Sequence, residues 1–136
     1  MDTIEAQLLK NCLKIFDEIS SQEANDFYGT PPKSYYIDYG IGSKRKIGYL
    51  MIELEKTYKY ESGQLVLVPV GTKHKNEPIN GMYFPEGHAE IGINQEGNIA
   101  FFSFQVGPRY GRGYKYEIIK DPAGSHLGEE QSLWIS

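Results

Sequence analysis

Tyr35-Tyr36-Ile37-Asp38-Tyr39-Gly40-Ile41 is where the chain changes period. Tyr35, Ile37, Tyr39 and Ile41 alternate with Tyr36 and Asp38, so one side of an extended segment is apolar, the pattern of a half-buried strand. Upstream the period is helical. Ile4, Leu8, Cys12, Ile15, Phe16 and Ile19 recur at three- and four-residue steps, which predicts a helix from about residue 3 to residue 20 with one buried face. Asp2 and Glu5 favour its start, because carboxylates there meet unpaired amides and the positive end of the dipole. Gly29-Thr30-Pro31-Pro32 stops any further helix.

Downstream the alternation persists. Residues 47–60 form a long second strand with Leu50, Ile52 and Leu54 on one side and Glu53, Glu55 and Thr57 on the other. Glu61-Ser62-Gly63-Gln64 is a hairpin turn into residues 65–70, where Pro69 marks an edge or a strand end. The polar run 71–81 is a loop. Ala89, Ile91 and Ile93 lead through Asn94-Gln95-Glu96-Gly97-Asn98 into residues 99–106, a second hairpin. Residues 107–113, rich in glycine, are expected to be a flexible crossing before a strand at 114–119. A turn-rich tail ends in Leu133-Trp134-Ile135, expected to dock on the core because a lone tryptophan is costly to leave wet. One helix followed by about six strands with short connections predicts an α+β fold in one domain, residues 1–136, with the helix on an antiparallel sheet and the other face free.

Composition narrows the function classes. A chain of 136 residues can bury about 65–70% of its unfolded surface and needs no staples. With 40% hydrophobic and 24% charged residues it reads as globular, and neither a signal-peptide pattern at Met1-Asp2-Thr3-Ile4-Glu5 nor a membrane-spanning run of about 18 apolar residues is present. One cysteine cannot form an internal disulfide, which fits a reducing cytoplasm. A net charge of −4 argues against direct nucleic-acid binding and suits a basic partner. Eleven tyrosines stand against one tryptophan, and tyrosine serves both sheet faces and protein interfaces.

His88-Ala89-Glu90 is the first half of the zinc deaminase signature, but the Pro-Cys-x-x-Cys half is missing and the one cysteine, Cys12, lies upstream. The deaminase glutamate opens a helix, whereas residues 89–94 read as a strand. His88 and Glu90 share a strand face and suit acid–base chemistry, yet two ligands do not make a metal site, and His74 and His126 are distant in sequence. Gly107, Gly111 and Gly113 fit neither dinucleotide nor P-loop spacing, although Arg109, Tyr110 and Arg112 among them suit holding a phosphate or stacking on a base. Cys12 falls on the buried helix face, so no nucleophile arrangement is formed. No catalytic set, cofactor or metal is expected.

Glu53 and Glu55, with Tyr36 and Asp38 beside them if the first two strands pair, predict a rigid acidic and aromatic surface; Glu90 and Tyr110 complete the candidate partner-binding set. In size, charge and style, with the hairpin from Gly87-His88-Ala89-Glu90-Ile91-Gly92-Ile93-Asn94 through Phe104, the chain resembles the small bacterial immunity proteins that accompany secreted toxins. That resemblance implies a cytoplasmic binding protein that occludes the active site of a basic toxin, a nuclease, without touching nucleic acid or membrane. An exposed sheet edge leaves a homodimer open. The order Glu90, Arg109, Arg112, His126 also resembles barnase-like ribonucleases, implying a carboxylate base, phosphate-holding arginines and a histidine acid. A small-ligand-binding domain is the third expectation.

Overall fold

Thr3 opens the first element by accepting a hydrogen bond from Ala6 N at its Oγ1 (3.1 Å), the cap of helix α1 (Ile4–Ser20). In the computed structural model, which describes residues 3–24, 29–46, 49–72 and 83–135, Glu5 stands in the first turn as expected, while Asp2 lies outside the described residues. Ile4, Leu8, Cys12, Phe16 and Ile19 form the buried face of α1. Ile15 packs at its margin, partly buried.

Among the described residues seven strands follow: β1 (Ser34–Lys46), β2 (Tyr49–Glu61), β3 (Gln64–Val68), β4 (Glu86–Asn94), β5 (Ile99–Gly107), β6 (Tyr110–Asp121) and β7 (Gly124–Ile135). They make one sheet in the order β3-β2-β1-β4-β5-β6-β7. The α+β class therefore holds, but the sheet is mixed and seven-stranded, where an antiparallel sheet of about six strands was expected. The parallel pair is β1·β4, in unbroken register from Ser34↔Glu86 to Gly42↔Asn94. After the β1–β2–β3 hairpins, the chain returns past β2 and lays β4 on the free edge of β1 in the same direction, and alternation of side chains is blind to that direction.

Two further expectations change. The glycine-rich crossing is a tight connection, Pro108-Arg109, between β5 and β6, with Gly111 and Gly113 inside β6. The turn-rich tail is β7, paired with β6 along most of its length. The expected docking of the Trp134 side chain lies outside the described residues, as does most of the loop expected at 71–81.

The core lies between α1 and one sheet face. Tyr35, Ile37 and Tyr39 from β1, Tyr60 from β2, Ala89 and Ile91 from β4, and Ala100, Phe102 and Phe104 from β5 are all buried there. Phe16 stacks on Tyr35 with ring centroids 4.0 Å apart. The tyrosine bias is thus largely a core device: the ring is buried and the hydroxyl finds a partner at the rim. Tyr60 donates to Asp17 Oδ1 (2.6 Å), Tyr58 donates to Glu5, and Tyr116 donates to Glu130 Oε2 (2.7 Å). At the other flank of α1, Gln7 donates to the Ser125 carbonyl and accepts from Leu127 N, tying the helix to β7. Among the described residues no helix is long and apolar enough to cross a membrane.

Candidate functional site

A bulge decides what lies on the sheet face turned away from α1. Tyr39 pairs with Lys56 but Gly40 pairs with Leu54, so Glu55 is the extra residue in β2 and every β2 side chain before it changes face relative to those after it. Gly40 permits this: a Cβ there would sit 2.2 Å from the Glu53 carbonyl oxygen. Across from β1, Tyr36 therefore meets Lys59 and Asp38 meets Thr57, while Glu53 falls opposite Ile41 on the helix-side face. The acidic surface expected from Glu53, Glu55, Tyr36 and Asp38 is not assembled, because the bulge breaks the simple alternation that would have built it.

What the register does assemble is a polar band across five strands. The parallel pair sets Tyr36 beside His88 and Asp38 beside Glu90. On the far side of β4, His88 meets Gln105 and Glu90 meets Ser103; Gly111 and Gly113 stand opposite those two in turn. The band is not fully open to solvent, since Tyr36, Thr57, Phe101, Gly111 and Gly113 on this face are all buried. The face expected to be free is thus partly sheltered. Over Thr57 the cover is the turn that follows β3, whose Gly71 N–H donates to Thr57 Oγ1 (2.9 Å).

Within the band the hydrogen bonds converge on Asp38. Thr57 Oγ1 donates to Asp38 Oδ1 (2.8 Å), and His88 Nε2 lies 2.8 Å from Asp38 Oδ2. An ionised aspartate can only accept, so that imidazole nitrogen carries its hydrogen toward the carboxylate. Lys59 Nζ sits 5.7 Å from the centroid of the Tyr36 ring. Glu90 differs from its neighbour: it is part-buried, and among the described residues no hydrogen bond or ion pair reaches its carboxylate. Burial pushes its carboxyl above the usual range; the nearby His88 pulls it back and Asp38 adds to the rise.

The remaining candidates are scattered. Tyr110 packs on the helix side, its ring 6.1 Å from Tyr83 and 6.3 Å from Phe104, and belongs to the margin of the core. Arg109 is in the exposed turn, and Arg112, opposite Phe104, points to the face away from Glu90. His126 is exposed at the far end of β7, 3.3 Å from Asp121. Glu90 aligns through Ser103 and Gly113 with Trp134, eight positions along β7 from His126. At about 3.3 Å per residue that offset alone is roughly 26 Å, so the ribonuclease-like set Glu90, Arg109, Arg112 and His126 does not converge.

Cys12 is buried against the sheet and its thiol is pushed well up by burial, which removes it as a nucleophile. Among the described residues no group of three His, Cys, Asp or Glu side chains is placed to hold a metal ion; His74 lies outside them. Sequence reading found His88, Glu90, Asp38 and Tyr36 but missed Thr57 as the residue that orients Asp38. Its one signal was a small hydroxyl residue amid long side chains in β2.

Comparison of the chain with protein-family models, with curated proteins and with solved structures finds no match.

Proposed function

We propose that the chain is an immunity-type binding protein that neutralises a basic toxin, a nuclease, by occluding its active site. The observation that carries this reading is the part-buried Glu90 carboxylate, which has no hydrogen bond or ion pair among the described residues and is held in a rigid sheet beside Asp38 with the Tyr36 ring one residue pair away. A lysine or arginine of the partner reaching this face would offset the desolvation of Glu90 with a charge-assisted hydrogen bond. The net charge of −4 would speed its approach. Strand residues already fixed by pairing lose little entropy on binding, and neutralisation needs no chemistry.

The test is to capture basic proteins on the tagged chain at low salt, assay the captured protein for nucleic-acid cleavage, and titrate that activity with added chain. Complete inhibition at one chain per toxin, with weaker inhibition by Glu90→Gln, supports the reading. Cleavage that continues at saturating chain removes it.

A second reading draws on the same residues. The Asp38–His88 pair beside a carboxyl of raised pKa is also an acid–base arrangement of the kind that serves hydrolysis. Intrinsic activity lost in His88→Ala, with no partner required, would favour it.

A further inference from the structure

The sheet has two edges, and they differ in charge. β7 is long and carries the exposed Glu129 and Glu130. β3 is short and lies in a stretch, residues 62–72, without a single ionisable side chain. Edge strands are ordinarily blunted by charge, because unpaired N–H and C=O groups recruit other strands. β3 lacks that device and is apolar on both faces: Val66 is 49% exposed on the outer side and Leu67 is 65% exposed on the helix side.

The adjoining flank of α1 is apolar as well. Glu5, Leu9, Leu13 and Asp17 form one row at four-residue steps, and the ends of that row are fastened to β2, Glu5 by Lys56 and Tyr58 and Asp17 by Tyr60. The row therefore runs along β2, with β3 next in the sheet. Leu9 and Leu13 are only partly buried, and Leu65 and Leu67 stand opposite Tyr60 and Tyr58. An apolar strip from the helix flank to the β3 edge is left open.

We propose that β3 is the seam of a two-fold dimer, pairing antiparallel with β3 of a second copy so that one sheet runs through both. A two-fold contact must be complementary to itself. With Val66 on the axis, Leu65 of one copy meets Leu67 of the other, Val66 meets Val66 and Gln64 meets Val68, all without like charges opposed. Pairing stops at Pro69, which has no N–H to donate. A basic partner finds no counter-charge on this edge, and self-pairing through β7 would set its glutamates among themselves; a second copy is what β3 fits. The seam lies two strands from Asp38, on β1, and leaves the polar band of each copy accessible.

Sedimentation equilibrium over about a hundredfold range of protomer concentration tests this. The expected result is a mass of two chains for the natural protein, a dissociation constant at least about tenfold higher for Val66→Lys, which opposes two ammonium groups on the axis, and little change for Val66→Thr. A single-chain mass throughout, a mass above two chains, or a Val66→Lys dimer as tight as the natural one each overturns the proposal. Should Val66→Lys fail to fold, hydrogen exchange of the natural protein decides: amides of β3 gain protection as concentration rises if the seam exists, and keep constant protection if it does not.

Discussion

Asp38 and Glu90 stand side by side across the parallel β1·β4 pair, and only Asp38 has its oxygens engaged, by Thr57 and His88. Two carboxylates in one band thus meet different environments: one is hydrogen-bonded, the other part-buried with no hydrogen bond or ion pair among the described residues. A carboxylate partly withdrawn from water without a partner carries a desolvation cost that a ligand can offset.

That cost predicts that Glu90→Gln stabilises the free protein. Glu90 has a folded pKa above its unfolded value, so the penalty is absent when both states are protonated and accrues as pH rises through the range just above an ordinary glutamate. For a group still partly wet the gain is ~1 kcal/mol at most, a rise in melting temperature of about 2–5 °C near neutral pH, and it disappears in acid. Thermal melts at neutral and acidic pH measure it; a variant no more stable than the natural protein at neutral pH would show that Glu90 is already well solvated.

Thr57→Val is predicted to destabilise by about 1–3 kcal/mol, because the fully buried hydroxyl donates to Asp38 and accepts from Gly71 N, and valine does neither. Thr57→Ser keeps both bonds and should cost less. Urea unfolding of the two variants separates a hydrogen-bonding role from a packing one: a loss in Thr57→Ser with none in Thr57→Val would assign Thr57 to packing alone.

Much of this architecture was legible in the residues, and the limits were physical. The 3.6-residue period from Ile4 to Ile19 and the alternation from Tyr35 to Ile41 marked α1 and β1, and Ser62-Gly63, both at positive φ, marked the β2–β3 turn. The direction of β4 was hidden, since a strand shows the same alternation in parallel and antiparallel pairs. The Glu55 bulge was hidden too, because one extra residue leaves no mark beyond Gly40 opposite it. His88 and Glu90 share a face by parity alone, but Asp38 joins them only through the β1·β4 pairing, and Glu53 left the predicted surface only through the bulge.

Gly40→Ala tests the bulge. A methyl group would meet backbone at 2.2 Å, which no rotamer change can relieve, so β2 must shift or the bulge must close. A loss of about 2 kcal/mol or more is expected, with exchange broadening of resonances around Glu53 and Glu55. A neutral substitution would mean that the bulge relocates at little cost and that the register of the polar band does not depend on it.

The phenols at the helix–sheet seam predict a loss of stability in alkali. Hydrogen bonding to Asp17 pushes Tyr60 up to about 12, and burial does the same for Tyr35; Tyr58 and Tyr116 are also raised, burial being the largest cause and a carboxylate partner the next. A group whose folded pKa exceeds its unfolded value stabilises fully below the unfolded pKa and loses that contribution as pH climbs to the folded one, here between about 10 and 12. Tyr60→Phe removes its bond to Asp17 and should cost about 1 kcal/mol near pH 8, because a charged acceptor loses its donor. That cost should shrink steadily above pH 10, where the natural phenol would itself ionise on unfolding. Urea midpoints of both proteins across this range give the difference directly, and a cost that stays constant with pH would detach Tyr60 from the alkaline transition.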